Sequence, residues 1–247
     1  MLNKPESRNA LSLGMIGALH EAITALSADA SVSSIVVAAK GPAFSDGHDL
    51  KELTAHRADA DGGRAFFKET MDACAGLMLA IVNSPKPVIA AVEATATAAG
   101  CQLVATCDLA VAASGANFTT PGVDIGLFCS TPMVALSRNV SRKHAMEMLL
   151  TGEAASAESA LRMGLVNRVV PLDQLSAATK ELAARLASMP TRGTALTKRL
   201  LNQSYANPVE AQLEAEAFAQ ATAGRTADHR EGVAAFLEKR KPKFEGK

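Results

Sequence analysis

The stretch "TATAAGCQLVATCDLAV", residues 95–111, carries a short helix and a strand in one line. Small residues lead into Gly100 and Cys101, and a single amide, Gln102, stands ahead of an apolar run, which predicts a helix from about Ala98 to Thr106. The following "DLAVAA" reads as a buried strand, as do "PVIAAVEA" and "SIVVAAK" upstream. Helical patterns precede and separate these two. Ser12 can cap a helix over 13–28 whose Met15, Ile16, Leu19, Ile23 and Leu26 share one face. After a polar, glycine-containing stretch at 55–63, a second helix presents Phe67, Met71, Cys74, Met78 and Ile81, and ends before "NSPKP". "NFTTP" and "GLVNRVV" repeat the strand-like character. Short apolar strands alternating with helices imply crossover connections and a largely parallel sheet, an α/β protein. From Pro171 the pattern is helical, which predicts a core at 1–170 and a helical region at 171–247.

The 247 residues are 48% hydrophobic, enough for a substantial core. Lys plus Arg and Asp plus Glu number 25 each, so net charge gives no case for a nucleic-acid or membrane-surface partner. Cys74, Cys101, Cys107 and Cys129 show no metal-ligand spacing and suit reduced thiols. No metal is expected. No apolar run reaches the ~18 residues of a membrane span, and "MLNKPESRNALS" has neither a signal core nor an Arg-rich leader. The expectation is a cytoplasmic protein.

Two loops follow strand ends, where ligands bind in open α/β sheets: "FSDGHDL" at 44–50 and "TAAGCQ" at 97–102. Ala98, Ala99 and Gly100 let a ligand approach backbone, and the first amides of a helix lack intrahelical acceptors. If the amide of His48 or Gly47 converged with that of Ala99, a carbonyl between them would be polarised, and removing one such donor typically costs ~3 kcal/mol. Taken singly, either loop is as well explained by a tight turn or by close helix packing.

Together the loops resemble the crotonase superfamily, the enoyl-CoA hydratase/isomerase family. "LNKPESRNALS", "GPAFSDGHDLKEL", "KPVIAAVEATATAAGCQLVATCDLAVAA", "LLTGEAASAESALRMGLVNRVV" and "EGVAAFLEKRKPKF" stand in family order and spacing across nearly the whole chain. The resemblance implies a crotonase-like spiral of β-β-α units with a C-terminal helical trimerisation region, assembled as homotrimers or as hexamers built from two trimers. It implies an acyl-CoA substrate of fatty acid metabolism, with coenzyme A as part of the substrate and no covalently bound cofactor. Carried over by position, the thioester oxygen falls to the amides of His48 and Ala99, beside Gly47 and Gly100. Coenzyme A contacts fall to Ser7, Arg8, Ala10, Asp46 and Leu50, with Lys241 of "EKRKPKF" near the phosphates. The family pattern also begins with an apolar hairpin that is missing ahead of "LNKPE", which leaves a sheet edge expected to be unpaired.

The departures are chemical. Hydratases of this family activate water with two glutamates, and here those positions hold Gln102 and Gly122. An amide does not exchange protons near neutral pH, so the ~10²–10⁴-fold general acid–base contribution has no evident source there. Lyase or isomerase chemistry through a thioester enolate is therefore expected over efficient hydration. Asp124, two residues beyond Gly122 in a strand-like segment, would share its face and offers a displaced base, although a surface Asp is the plainer reading. The His48 imidazole can orient a substrate carboxylate, as in decarboxylating members of the superfamily, so an acyl-CoA decarboxylase is one alternative and a non-catalytic acyl-CoA binder another. His20, His56, His144 and His229 read as packed or solvated residues. Asp49 reads as a loop cap, the cysteines as small hydrophobes, and Phe128, Met133 and Leu136 as either acyl pocket or core.

Overall fold

The computed structural model describes residues 1–246. Continuous apolar runs with no polar alternation need cover on both faces, and they form the central strands of the first sheet, whereas strands of the second, such as Thr95–Thr97 and Asn117–Thr119, alternate polar and apolar residues. In chain order the strands are β1 (Ile35–Ala38), β2 (Ala43–Ser45), β3 (Val88–Val92), β4 (Thr95–Thr97), β5 (Leu109–Ala113), β6 (Asn117–Thr119), β7 (Ala155–Ser156) and β8 (Arg168–Val170). They make two four-stranded sheets, β1-β3-β5-β8 and β2-β4-β6-β7, parallel throughout except where β6 meets β7. Each consecutive strand pair gives one member to each sheet, so the chain climbs as a spiral of β-β-α units. The sequence pattern predicted one largely parallel sheet. Periodicity identifies a strand but not its sheet, and the chain changes sheets at Glu93-Ala94, inside a stretch that reads as one run.

The helices are α1 (Leu13–Ala28), α2 (Leu50–Ala55), α3 (Arg64–Asn83), α4 (Ala99–Thr106), α5 (Ser130–Asn139), α6 (Arg142–Thr151), α7 (Ala157–Met163), α8 (Leu175–Ala187), α9 (Thr191–Ser204), α10 (Val209–Ala223) and α11 (Ala227–Leu237). Ser12 caps α1, its hydroxyl accepting the Met15 N–H at 3.2 Å. Asp49 caps α2, accepting the amides of Lys51 and Glu52. The buried stripe of α3 is Thr70, Cys74, Leu77, Met78 and Ile81, whereas Phe67 is exposed. Cys74, Met78 and Ile81 thus lie on the expected face, and the departure is confined to Phe67 in the first turn of the helix.

The main core joins Ile16 and Ile23 of α1 to Leu77 and Ile81 of α3, Phe44 of β2, Leu103 of α4 and Phe118 of β6. Burying each such side chain is worth about 1.5–3 kcal/mol. A second cluster covers the opposite face of the first sheet, where Leu175 and Leu182 of α8 pack on Ile89, Val111 and Ala113. A charged staple ties α9 to this core. The buried Lys198 ammonium donates to the carbonyls of Ile81 and Lys86 and to Asp108 Oδ2 at 2.7 Å, and Asp108 also accepts the Val88 amide.

Candidate active site

Strands β2 and β4 are parallel neighbours with Ser45 opposite Ala96, so the loops leaving their C-terminal ends emerge side by side. Gly47, at φ +83°, fits between them. A Cβ there would lie 2.9 Å from the Thr97 carbonyl oxygen and 3.1 Å from the Ala99 nitrogen. Only glycine tolerates both that φ and that proximity.

The amide of His48 is free because of what flanks it. Leu11 forms a parallel bridge with His48, donating to the Gly47 carbonyl at 2.7 Å and accepting from the Asp49 amide at 3.4 Å. In a parallel ladder the residue between two such bonds turns its own N–H to the opposite side. Ala99 is the first residue of α4, so its N–H has no intrahelical acceptor. It follows Ala98, a non-glycine residue held at φ 49°, ψ −115°, whose own amide is tied to the Thr119 carbonyl at 2.9 Å. Such backbone costs about 1–3 kcal/mol and persists where surrounding structure enforces it. Among the described residues neither the His48 nor the Ala99 amide has a hydrogen-bond partner.

The segment ahead of α1 is laced to the first loop. The Asp46 amide donates to the Arg8 carbonyl at 3.1 Å, the Ser45 hydroxyl to the Asn9 carbonyl at 2.9 Å, and Leu11 to Gly47 as above. Arg8 and Asp46 also form an ion pair; its exposure limits it to about 0–1 kcal/mol. Arg8 and Asn9 both take left-handed backbone, at φ 52° and 53°. Asn9 is fully buried, donating to the Lys40 and Ala43 carbonyls and accepting from the Lys4 amide. The Ser7 hydroxyl donates to the Lys4 carbonyl, and the Ala10 amide to that of Ser7. Thus Arg8 and Asp46 are in contact, while Ser7, Ala10 and the exposed Leu50 follow them along the same two segments. Lys241 lies beyond α11, and no hydrogen bond or ion pair joins it to these residues.

Gln102 is buried on α4, its side-chain oxygen 3.5 Å from the Cys74 thiol, with no partner for its side-chain nitrogen. Gly122 is not a vacancy. Its amide donates to Cys129 Sγ at 3.1 Å, and a Cβ there would lie 2.7 Å from that sulfur and 3.0 Å from the Cys129 nitrogen. The thiol fills the space a side chain at 122 would need.

Asp124 departs from its sequence-based placement. It sits in a 3-10 helix, Pro121–Ile125, and not in a strand, so an offset of two does not share a face with Gly122. The residue is exposed, and its Oδ2 lies beside Gly152 at the C-terminal end of α6. Leu136 belongs to the core, while Phe128 and Met133 are exposed.

Burial alone pushes the His48 imidazole down to about 4, so it is neutral at ordinary pH, and its Nε2 is buried without a partner. Burial pushes the thiols of Cys74 and Cys101 up to about 11 and about 12, and raises those of Cys107 and Cys129, which fits packed thiols and not nucleophiles. Glu93, at the end of β3, is a half-buried carboxylate raised chiefly by burial, with Oε1 unpartnered. A cavity of about 380 Å³ opens near Pro190, Gly224, Phe236 and Phe244 and is lined by none of the candidate residues. Concavity and chemistry part here, and the chemistry follows the two free amides. Sequence reasoning missed Asn9, Ser45 and Cys129, whose roles arise from contacts across 34 and 36 residues or from a loop folding back over 7.

Comparison with known proteins bears on the whole chain. The family model "Enoyl-CoA hydratase/isomerase" matches residues 1–247. The mouse protein "Enoyl-CoA hydratase domain-containing protein 3, mitochondrial" is 45% identical over 242 residues, 98% of this chain and 79% of its own length. A solved enoyl-CoA hydratase of Mycobacterium smegmatis superposes with a TM-score of 0.92 at 45% identity, covering 98% of this chain and 92% of that one. The human domain-containing protein 3 structure gives 0.90 at 43%, covering 97% and 94%. The mouse, rat and human relatives are named mitochondrial, which overturns the cytoplasmic expectation. The four buried cysteines are unpaired, and unpaired thiols do not distinguish one compartment from another. Fold, motif order and whole-chain likeness agree: the chain belongs to the enoyl-CoA hydratase/isomerase family.

Proposed function

We propose that this protein binds an acyl-CoA thioester with its carbonyl oxygen between the amides of His48 and Ala99, and stabilises the thioester enolate without the acid–base pair of a hydratase. The observation that carries this is the pair of unpartnered amides set on either side of Gly47. Arg8, Ser7, Ala10, Asp46 and Leu50 are the proposed coenzyme A contacts, with Lys241 as an outlying cation, and coenzyme A enters as part of the substrate. Gln102 and Gly122 leave proton transfer without a carboxylate at either position, and the exposed, outward-lying Asp124 is the weaker choice for a base. The chemistry proposed is that of a lyase or isomerase. Exposed Phe218, Phe236 and Leu237 on the C-terminal helices support self-association into trimers.

A second reading has a specific observation behind it. The His48 Nε2 is buried without a partner, next to the proposed thioester amide, and as an N–H it can donate to a substrate carboxylate and orient it for decarboxylation. Calorimetry with coenzyme A thioesters tests binding, and crotonyl-CoA hydration tests chemistry. Binding with hydration near background is expected; an ordinary hydratase rate would sink the reading of Gln102 and Gly122. A mass-spectrometric screen across acyl-CoA thioesters, methylmalonyl-CoA included, then separates the readings. Decarboxylation abolished by His48→Ala selects the second, and turnover of no thioester selects a non-catalytic binder.

A further inference from the structure

One buried residue, Ser45, touches both loops of the proposed thioester site and the segment ahead of α1. Ser45 Oγ donates to the Asn9 carbonyl at 2.9 Å and accepts the Gly47 amide at 3.2 Å. The Gly47 amide begins the turn whose next peptide carries the His48 N–H. The same residue also sets the spacing to the other loop. A Cβ on Gly100 would run into the Ser45 carbonyl oxygen and lie 2.8 Å from the Ser45 Cβ, so α4 rests its first turn directly on Ser45. On the far side, Asn9 is locked by three side-chain hydrogen bonds and sits between Arg8 and Ala10, two of the proposed coenzyme A contacts.

We infer that Ser45 is a positioning residue that couples coenzyme A binding to thioester activation. Its hydroxyl links the segment that receives coenzyme A to the peptide that polarises the carbonyl, and its backbone fixes the gap to Ala99. Ser45 touches no substrate atom. It makes binding energy from the remote coenzyme A moiety available for alignment at the reacting carbonyl. The inference rests on the oxyanion reading above.

The test uses the full chain and two probes: free coenzyme A, and acetoacetyl-CoA, whose enolate absorbs in the near ultraviolet. In the wild-type protein, bound acetoacetyl-CoA should shift toward enolate. Ser45→Ala should hold coenzyme A within about twofold while losing roughly tenfold to hundredfold of the enolate enrichment, the scale of a misaligned reacting group. Ser45→Thr and Ser45→Val form an isosteric pair that differs only in the hydroxyl, so Thr should keep the shift and Val lose it, even where Ala folds poorly. A full shift in both Ala and Val, or equal losses for the two probes, overturns the role of Ser45. Absence of the shift in the wild-type protein overturns the oxyanion reading as well.

Discussion

Adding one methyl group at position 122 is expected to destabilise the protein through Cys129 and not through the backbone. Gly122 has no positive φ, so Ala is sterically permitted by the chain, and Gly→Ala at a permitted site gains about 0.4–1 kcal/mol from the unfolded state. Against this, the new Cβ would lie 2.7 Å from Cys129 Sγ, 3.0 Å from its nitrogen and 3.1 Å from the Phe128 carbonyl carbon. Overpacking of that kind costs about 1–3 kcal/mol, so the net loss for Gly122→Ala should be about 1–2 kcal/mol. In a chain of this size that lowers Tm by about 2–8 °C. Cys129→Ala removes the nearest of the three contacts, so the double variant should recover part of the loss as a coupling energy of at least about 0.5 kcal/mol. Denaturant unfolding of the four proteins measures the cycle. Additive losses, or a Gly122→Ala protein as stable as the wild type, would refute the claim that the thiol fills this space. On the proposed reading of the site, Gln102→Glu with Gly122→Glu is expected to leave crotonyl-CoA hydration near background, because Cys129 crowds the second carboxylate.

Three further outcomes follow from individual groups. The folded pKa of His48, about 4, is below its ordinary 6.5, so the unfolded chain binds more protons between those values. Stability should therefore rise with pH across that window, by at most roughly 3 kcal/mol, and be fully present above it; His48→Gln should flatten this limb of a pH-dependent unfolding series, and an unchanged limb counts against a buried neutral imidazole. Gly47→Ala forces a side chain to φ +83° and sets a Cβ 3.1 Å from the Ala99 nitrogen, so thioester affinity by calorimetry should collapse; retained affinity would remove that gap from the site. Lys198→Met leaves Asp108 buried without its cation and should cost about 3–5 kcal/mol, with Lys198→Met/Asp108→Leu recovering much of it in thermal melts; a small loss in the single variant would show the staple to be solvated.

Much of the fold could be read from local pattern. Ser12, Asp49 and the apolar runs announce their own caps and strands, because capping and burial act over a few residues. The division into two sheets depended on where β3 gives way to β4, and the change there from a continuous apolar run to the alternating Thr95-Ala96-Thr97 does not by itself say that the chain enters another sheet. At the site, Gly47 and Gly100 were visible because only a missing side chain allows those approaches. Asn9 and Ser45 were not, since a polar residue in a loop looks the same whether it faces water or bridges segments 34 and 36 positions apart. Asp124 misled for a related reason: a period of two was assumed where Pro121 and the turn at Gly126 impose a 3-10 helix.

Loss of two carboxylates can leave a site empty or rebuilt, and the two cases predict different chemistry. An empty site would keep space and water where the glutamates stood, and restoring them would restore hydration. Here Gln102 is buried against Cys74, and the place next to Gly122 is taken by Cys129, whose amide and sulfur close on it. The thiol is raised chiefly by burial, so it stays protonated and is a poor base for activating water. The two free amides, by contrast, are held by an enforced Ala98 backbone, a bridge at Leu11 and a buried serine, structure that random loss of function does not require. On the proposed reading, polarisation of a thioester is kept at a cost in strain while packing at Gly122 works against hydration. That combination favours a substrate that supplies its own departing group or proton over one that needs water activated for it.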